Sequence, residues 1–133
     1  MELILKIIKN TQSFLNTKSK KDRKKIGQFF TDSQTAQFMA SVFSFSKKKI
    51  RVLDPGAGTG ILSAAFIEIA KENGVEDIEL LLVENNKDFL PILEQNVRIF
   101  QDYCRDIKLT TEILEENFIT EQSIDFSMNT TTK

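Results

Sequence analysis

Histidine and tryptophan are absent from this 133-residue chain, cysteine occurs once, and the chain has two prolines and five glycines. The lack of histidine removes most metal-site and triad chemistries. A lone cysteine, Cys104, rules out an internal disulfide and reads as a small buried hydrophobe. No apolar run is long enough to span a membrane. Met1–Asn10 is apolar but interrupted by Glu2, Lys6 and Lys9 and shows no cleavage-site pattern, so the chain reads as cytoplasmic, without a membrane partner. Excess charge is lacking too: 18 basic and 19 acidic residues leave a net charge of −1. That excludes a surface that grips nucleic acid everywhere, while leaving room for a local basic patch.

What is present is an ordinary globular mix of 41% hydrophobic and 28% charged residues, with eleven Phe to build a core. The length suits one domain and is short for a complete enzyme of most α/β families. Residues 3–16, LILKIIKNTQSFLN, set Leu3, Ile7, Phe14 and Leu15 on one helical face. Six of the eight residues Lys18–Lys25 are basic and read as a solvated linker, the alternative being a phosphate contact. Thr31, Asp32 and Ser33 can each cap a helix over about 33–45, whose apolar stripe is Ala36, Met39, Ala40 and Phe43. Strands are expected at Ile50–Leu53, Ile78–Val83 and Ile107–Leu114, separated by helices over about 59–73 and 86–104. Asn73-Gly74 stops the first of these helices, and Pro91 is tolerated near the first turn of the second. Alternation of strand and helix implies an α/β fold with a parallel sheet.

Chemistry concentrates in Asp54-Pro55-Gly56-Ala57-Gly58-Thr59-Gly60, which holds three of the five glycines between a strand and a helix. Such a turn brings backbone N–H groups to a helix N-terminus and lets a ligand approach the main chain. The glycines sit at 56, 58 and 60 and are followed by Ile61-Leu62, so neither a dinucleotide G-x-G-x-x-G nor a phosphate-loop G-K-[ST] is present. Glu84 ends the second strand, where an acid reaches the ribose hydroxyls of an adenosine-containing ligand. Asp54 adds negative charge where a phosphate would be unwelcome. Adenosine joined to a cationic sulfonium and ammonium end fits that field, which points to S-adenosylmethionine.

RVLDPGAGTGILSAAFI resembles motif I of the S-adenosylmethionine-dependent methyltransferases, and LLLVENN is similar to their acidic motif II. KKIGQFFTDSQTAQFMASVF resembles the motif that precedes it (motif X) in gamma-class N6-adenine DNA methyltransferases of restriction–modification systems. The resemblance covers roughly residues 20–120 and implies a Rossmann-like methyltransferase fold. It further implies that Thr31 and the backbone near Phe30 bind the methionine carboxylate. Asp54, Pro55, Gly56, Ala57, Gly58 and Gly60 would hold the amino and sulfonium end, Glu84 the ribose, and Asn85 the side of the adenine. Glu116-Asn117-Phe118-Ile119 resembles motif III, with Asn117 in place of the usual Asp that accepts from the adenine amino group and Phe118 lining the ring. An amide oxygen can still accept that bond.

The family's catalytic tetrapeptide, Asp or Asn followed by Pro-Pro and an aromatic, has no counterpart here, since the prolines are Pro55 and Pro91. The aromatic ring serves as a platform for an adenine turned out of the duplex. The chain is therefore expected to be the N-terminal, cofactor-binding portion of a DNA adenine methyltransferase, inactive alone. Its expected divisions are an N-terminal helix and basic linker (1–25), a cofactor-binding half (26–120) and a tail (121–133). A fragment of an RNA or protein methyltransferase, or a non-catalytic module with a remnant site, are the alternatives. The resemblance also implies a fourth strand beside the first, so the first strand should have an open edge. The alternating tail Ser123–Met128 is expected to cover that edge, within the chain or across a homodimer.

Overall fold

The computed structural model describes residues 2–27, 36 and 48–115. It is an α/β structure with elements α1 (Glu2–Asn16), α2 (Lys20–Gly27), β1 (Lys49–Asp54), α3 (Ile61–Glu72), β2 (Asp77–Val83), α4 (Leu90–Tyr103) and β3 (Lys108–Leu114). The strands form a parallel sheet in the order β1-β2-β3, with Val52 opposite Leu80 and Leu80 opposite Thr111. Because successive strand residues point to opposite faces, Ile78, Leu80 and Leu82 lie on one side and are almost fully buried. Helices α3 and α4 connect consecutive parallel strands, and α1 packs against both. Phe100, Ile67, Leu93 and Val75 complete the core with Leu3, Ile4 and Ile7 of α1.

The α1 helix is thus part of the main core. Its buried stripe is Leu3, Ile4, Ile7 and Thr11, while Phe14 and Leu15 are half-buried. The Glu68 carboxylate, buried on α3, accepts the Ile4 N–H at 2.5 Å. A carboxylate there meets both an orphan donor of the first turn and the positive end of the helix dipole.

The expected linker differs: its basic residues from Lys20 onward are helical. Lys and Arg are good helix formers, and the Ser19 hydroxyl accepts the Asp22 N–H at 3.2 Å in the manner of an N-cap. Two helices also begin later than expected. α3 starts at Ile61 because Gly60 is left-handed, at φ +93°. Before α4, the Asn86 side chain accepts the Asp88 N–H and its carbonyl accepts the Phe89 N–H, which keeps the chain in a turn. Pro91 sits in the first turn of α4, and Gly74, at φ +84°, follows the end of α3.

At the far end of the helix layer, the Lys71 ammonium donates to the Tyr103 carbonyl at 2.9 Å and pairs with Asp106 at 2.8 Å. Cys104 is buried, and desolvation pushes its thiol up to about 11, so it stays protonated at neutral pH. Among the described residues β1 pairs only with β2, and its free edge borders an apolar crevice lined by Ile50, Val52, Phe66 and Ile67. The Ser123–Met128 tail and all of the expected 33–45 helix except Ala36, which is helical and buried, lie outside the described residues. No helix among the described residues is long and apolar enough to cross a membrane.

Candidate functional site

The carboxyl-terminal ends of β1 and β2 bring Asp54, Pro55, Gly56, Ala57, Gly58, Gly60, Glu84 and Asn85 to one edge of the sheet. Phe30, Thr31, Asn117 and Phe118 lie outside the described residues.

The glycines of the loop are not bare for one reason. Gly58 and Gly60 have φ of 57° and 93°, a region that L side chains rarely adopt. A methyl on Gly60 would also lie 2.9 Å from Cζ of the fully buried Phe100. Gly56 has an ordinary φ, is exposed, and a Cβ there would meet nothing within 4 Å. Its lack of a side chain leaves open space above the loop and answers no demand of the backbone.

The loop's amides are turned inward. Gly56 N–H bonds to the Asp54 carboxylate, Ala57 N–H to the Val83 carbonyl at 3.1 Å, and Gly60 N–H to the Ala57 carbonyl at 2.8 Å. Gly58 N–H donates to Glu84 Oε1 at 2.7 Å, and the other Glu84 oxygen accepts Asn86 N–H at 2.9 Å. A phosphate nest would present these donors to the ligand. Here the donors at 56 and 58 are spent on two carboxylates, so the loop offers little to an anion.

Asp54 and Glu84 are both buried, at 7% and 8% exposure, and they repel one another. Asp54 accepts a 2.8 Å hydrogen bond from the Ser63 hydroxyl on α3. Burial pushes its carboxyl above the ordinary value of 3.8, aided by the Glu84 charge and opposed by the bonds from Ser63 and Gly56. A cation beside the pair would relieve this strain. Each Glu84 oxygen accepts one N–H and retains a further lone pair for another donor.

Four partners of the loop escaped the sequence reading: Thr11, Asn96, Asn10 and Ser63. The Thr11 and Thr59 hydroxyls are 2.8 Å apart, and the Thr11 hydroxyl also reaches the Ile7 carbonyl at 2.8 Å. One proton cannot serve both contacts, so Thr59 donates to Thr11. Asn96 Nδ2 donates to the Thr59 carbonyl at 2.7 Å, and Asn96 Oδ1 accepts from Asn10 at 2.9 Å. Thr59 is thereby held by α1 through its side chain and by α4 through its backbone. The legible signal was a polar residue interrupting an apolar stripe, as Thr11 does on α1 and Asn96 on α4.

A parallel sheet, a glycine turn from strand to helix and an acid closing the second strand define a Rossmann-like fold of the methyltransferase type. No protein-family model matches the chain. It is similar to the type II methyltransferase M.BsuBI of Bacillus subtilis, with 35% identity over 100 residues that cover 74% of this chain and 19% of that protein. It is also similar to the type II methyltransferase M.PstI of Providencia stuartii, with 30% identity over 103 residues, covering 73% and 20% respectively. The chain thus spans about a fifth of the length of these curated relatives.

Proposed function

We propose that this chain is the S-adenosylmethionine-binding portion of a site-specific DNA adenine-N6 methyltransferase of a restriction–modification system. The observation that carries the reading is the inward-turned glycine loop. Its amides close on Asp54 and Glu84, so the edge presents two carboxylates and one needlessly bare glycine, Gly56. That field suits a ligand with a cationic end and hydroxyl donors better than it suits a phosphate. Similarity to two type II methyltransferases supports the same reading from an independent direction. Asp54 would face the ammonium and sulfonium end, Gly56 would let the ligand approach the main chain, and Glu84 would accept from the ribose diol. Phe30, Thr31, Asn85, Asn117 and Phe118 would complete the contacts. S-adenosylmethionine supplies the methyl group, and the residues named here bind and orient it.

These 133 residues contain no Pro-Pro and so no tetrapeptide to hold an extruded adenine. By themselves they are proposed to bind cofactor without methylating DNA. Isothermal titration with S-adenosylmethionine tests the proposal. Saturable binding is expected, weakened at least tenfold by Glu84→Ala. No heat at about 1 mM cofactor, a ligand level matching a binding energy near −4 kcal/mol, would leave the fold without this role.

A further inference from the structure

The basic run takes no part in the cofactor site, yet the structure leads it there. α1 is fixed near its start by Glu68 and near its end by the contacts of Asn10 and Thr11 with Asn96 and Thr59. In its last turn the Phe14 ring meets Phe89 edge-on, with centroids 6.2 Å apart. Phe89 closes the turn that follows Glu84, so α1 ends at the edge of the sheet that carries the two buried carboxylates. The Lys18 ammonium lies 5.1 Å from the centroid of the Phe14 ring, and α2 begins two residues later.

Helical geometry sorts the charges of α2. At about 100° per residue, Lys20, Lys21, Arg23 and Lys24 fall within an arc of about 160°, and Asp22 lies on the opposite side. All four basic residues are exposed, and none is ion-paired among the described residues. Residues 18–25 carry a net charge of +5 in a chain whose total is −1. The nearby acids cancel only part of this, since Asp54 and Glu84 are buried and hydrogen-bonded and Asp22 faces away, while Asp88 and Glu115 are exposed at the edge among the described residues. α2 has no aromatic residue on which an unpaired base could stack, so its chemistry is that of phosphate contact without base readout.

We infer that α2 is a contact for the sugar–phosphate backbone of a duplex, placed at the rim of the cofactor site so that bound DNA lies against the methyl donor. This rests on the reading of the chain as part of a DNA methyltransferase. The test titrates the 133-residue chain against a fluorescent mixed-sequence duplex at several salt concentrations. Wild type is compared with the variant Lys20→Gln/Lys21→Gln/Arg23→Gln/Lys24→Gln, and circular dichroism confirms that the variant is folded. A control, Lys48→Gln/Lys49→Gln/Lys108→Gln, removes as many as three charges at the opposite end of the sheet.

The expected result is salt-dependent binding whose log–log slope falls by roughly 2–4 in the α2 variant, with at least a tenfold loss of affinity at about 50 mM salt. The control should keep the wild-type slope. An unchanged slope in the α2 variant, an equal loss in the control, or no duplex binding by wild type at low salt would overturn the inference. So would equal competition by single-stranded oligonucleotide or anionic vesicles at matched charge. Cofactor titration is read separately, so loss of the cofactor reading and loss of the α2 contact are told apart.

Discussion

At the amino-terminal end of the sheet, Lys49 reaches Asp77 and Glu79 at 3.9 and 3.4 Å, and Arg51 reaches Glu79 at 2.6 Å. At the carboxyl-terminal end, Asp54 and Glu84 are buried, pair with no cationic side chain among the described residues, and accept from Ser63 and from three loop amides. At the first end bases of β1 face acids of β2, whereas at the second an acid ends β1 and another follows β2. The first set keeps its partners in water, where an ion pair contributes little. The second set organises a loop at the cost of two crowded negative charges. A site that carries strain of this kind is where a ligand has something to offer.

Gly60→Ala should have the largest effect on the comparison. It forces an L residue to φ +93° and drives a methyl to 2.9 Å from Phe100, with a destabilisation of about 2–5 kcal/mol read as a lower urea midpoint. Glu84→Gln comes next. The side-chain amide must turn one N–H donor toward another, leaving a buried group unpaired at about 1–3 kcal/mol, and cofactor affinity should fall at least tenfold.

Asp54→Asn separates stability from binding. Asp54 titrates above 3.8 in the folded chain, so its protonated form is the one that favours folding. That contribution is full below the unfolded value and is lost as pH rises through the raised folded value. At neutral pH the Asn variant should therefore be as stable as wild type or more so, with the difference shrinking as pH falls toward 3.8. Its affinity for a cationic ligand should nonetheless decline. Loss of stability at neutral pH equal to that of Glu84→Gln would break the assignment of strain to Asp54.

Thr11→Val removes the hydroxyl that accepts from Thr59 and should cost about 1 kcal/mol. A double-mutant cycle with Thr59→Val should give a coupling of about 0.5–1 kcal/mol, and hydrogen exchange should quicken at the loop amides. Additive effects would show that α1 does not hold the loop. Arg51→Ala, at the opposite end, should lower Tm by no more than about 2 °C and leave cofactor affinity unchanged.

Much of the fold was legible in local pattern. The near-continuous run at 78–83 marked a buried parallel strand, and Asn73-Gly74 marked the end of α3. α3 starts two residues later than its local pattern suggests because Gly60 serves as a left-handed cap, and α4 four residues later because Asn86 forms a turn through its own side chain. The helical form of the basic run is not legible locally, because a charge run carries no apolar period. In the site, residue types and order located Asp54, Glu84 and the glycines, but the direction in which the loop amides point depends on partners 26 residues apart.

By itself the sequence determined the three strands and the helices α1, α3 and α4, because periodicity, caps and glycine positions act within one or two turns of the chain. It also brought the acids and glycines to strand ends, where a parallel fold gathers them. Only the tertiary structure decided that, of the three loop glycines, Gly56 is the one with an ordinary φ and open space, that Thr11 and Asn96 hold Thr59, and that α1 carries the start of the basic helix toward the edge with Asp54 and Glu84. Each of these is a contact between residues distant in sequence, and hydrogen bonding and packing across such distances are set by how the helices settle on the sheet.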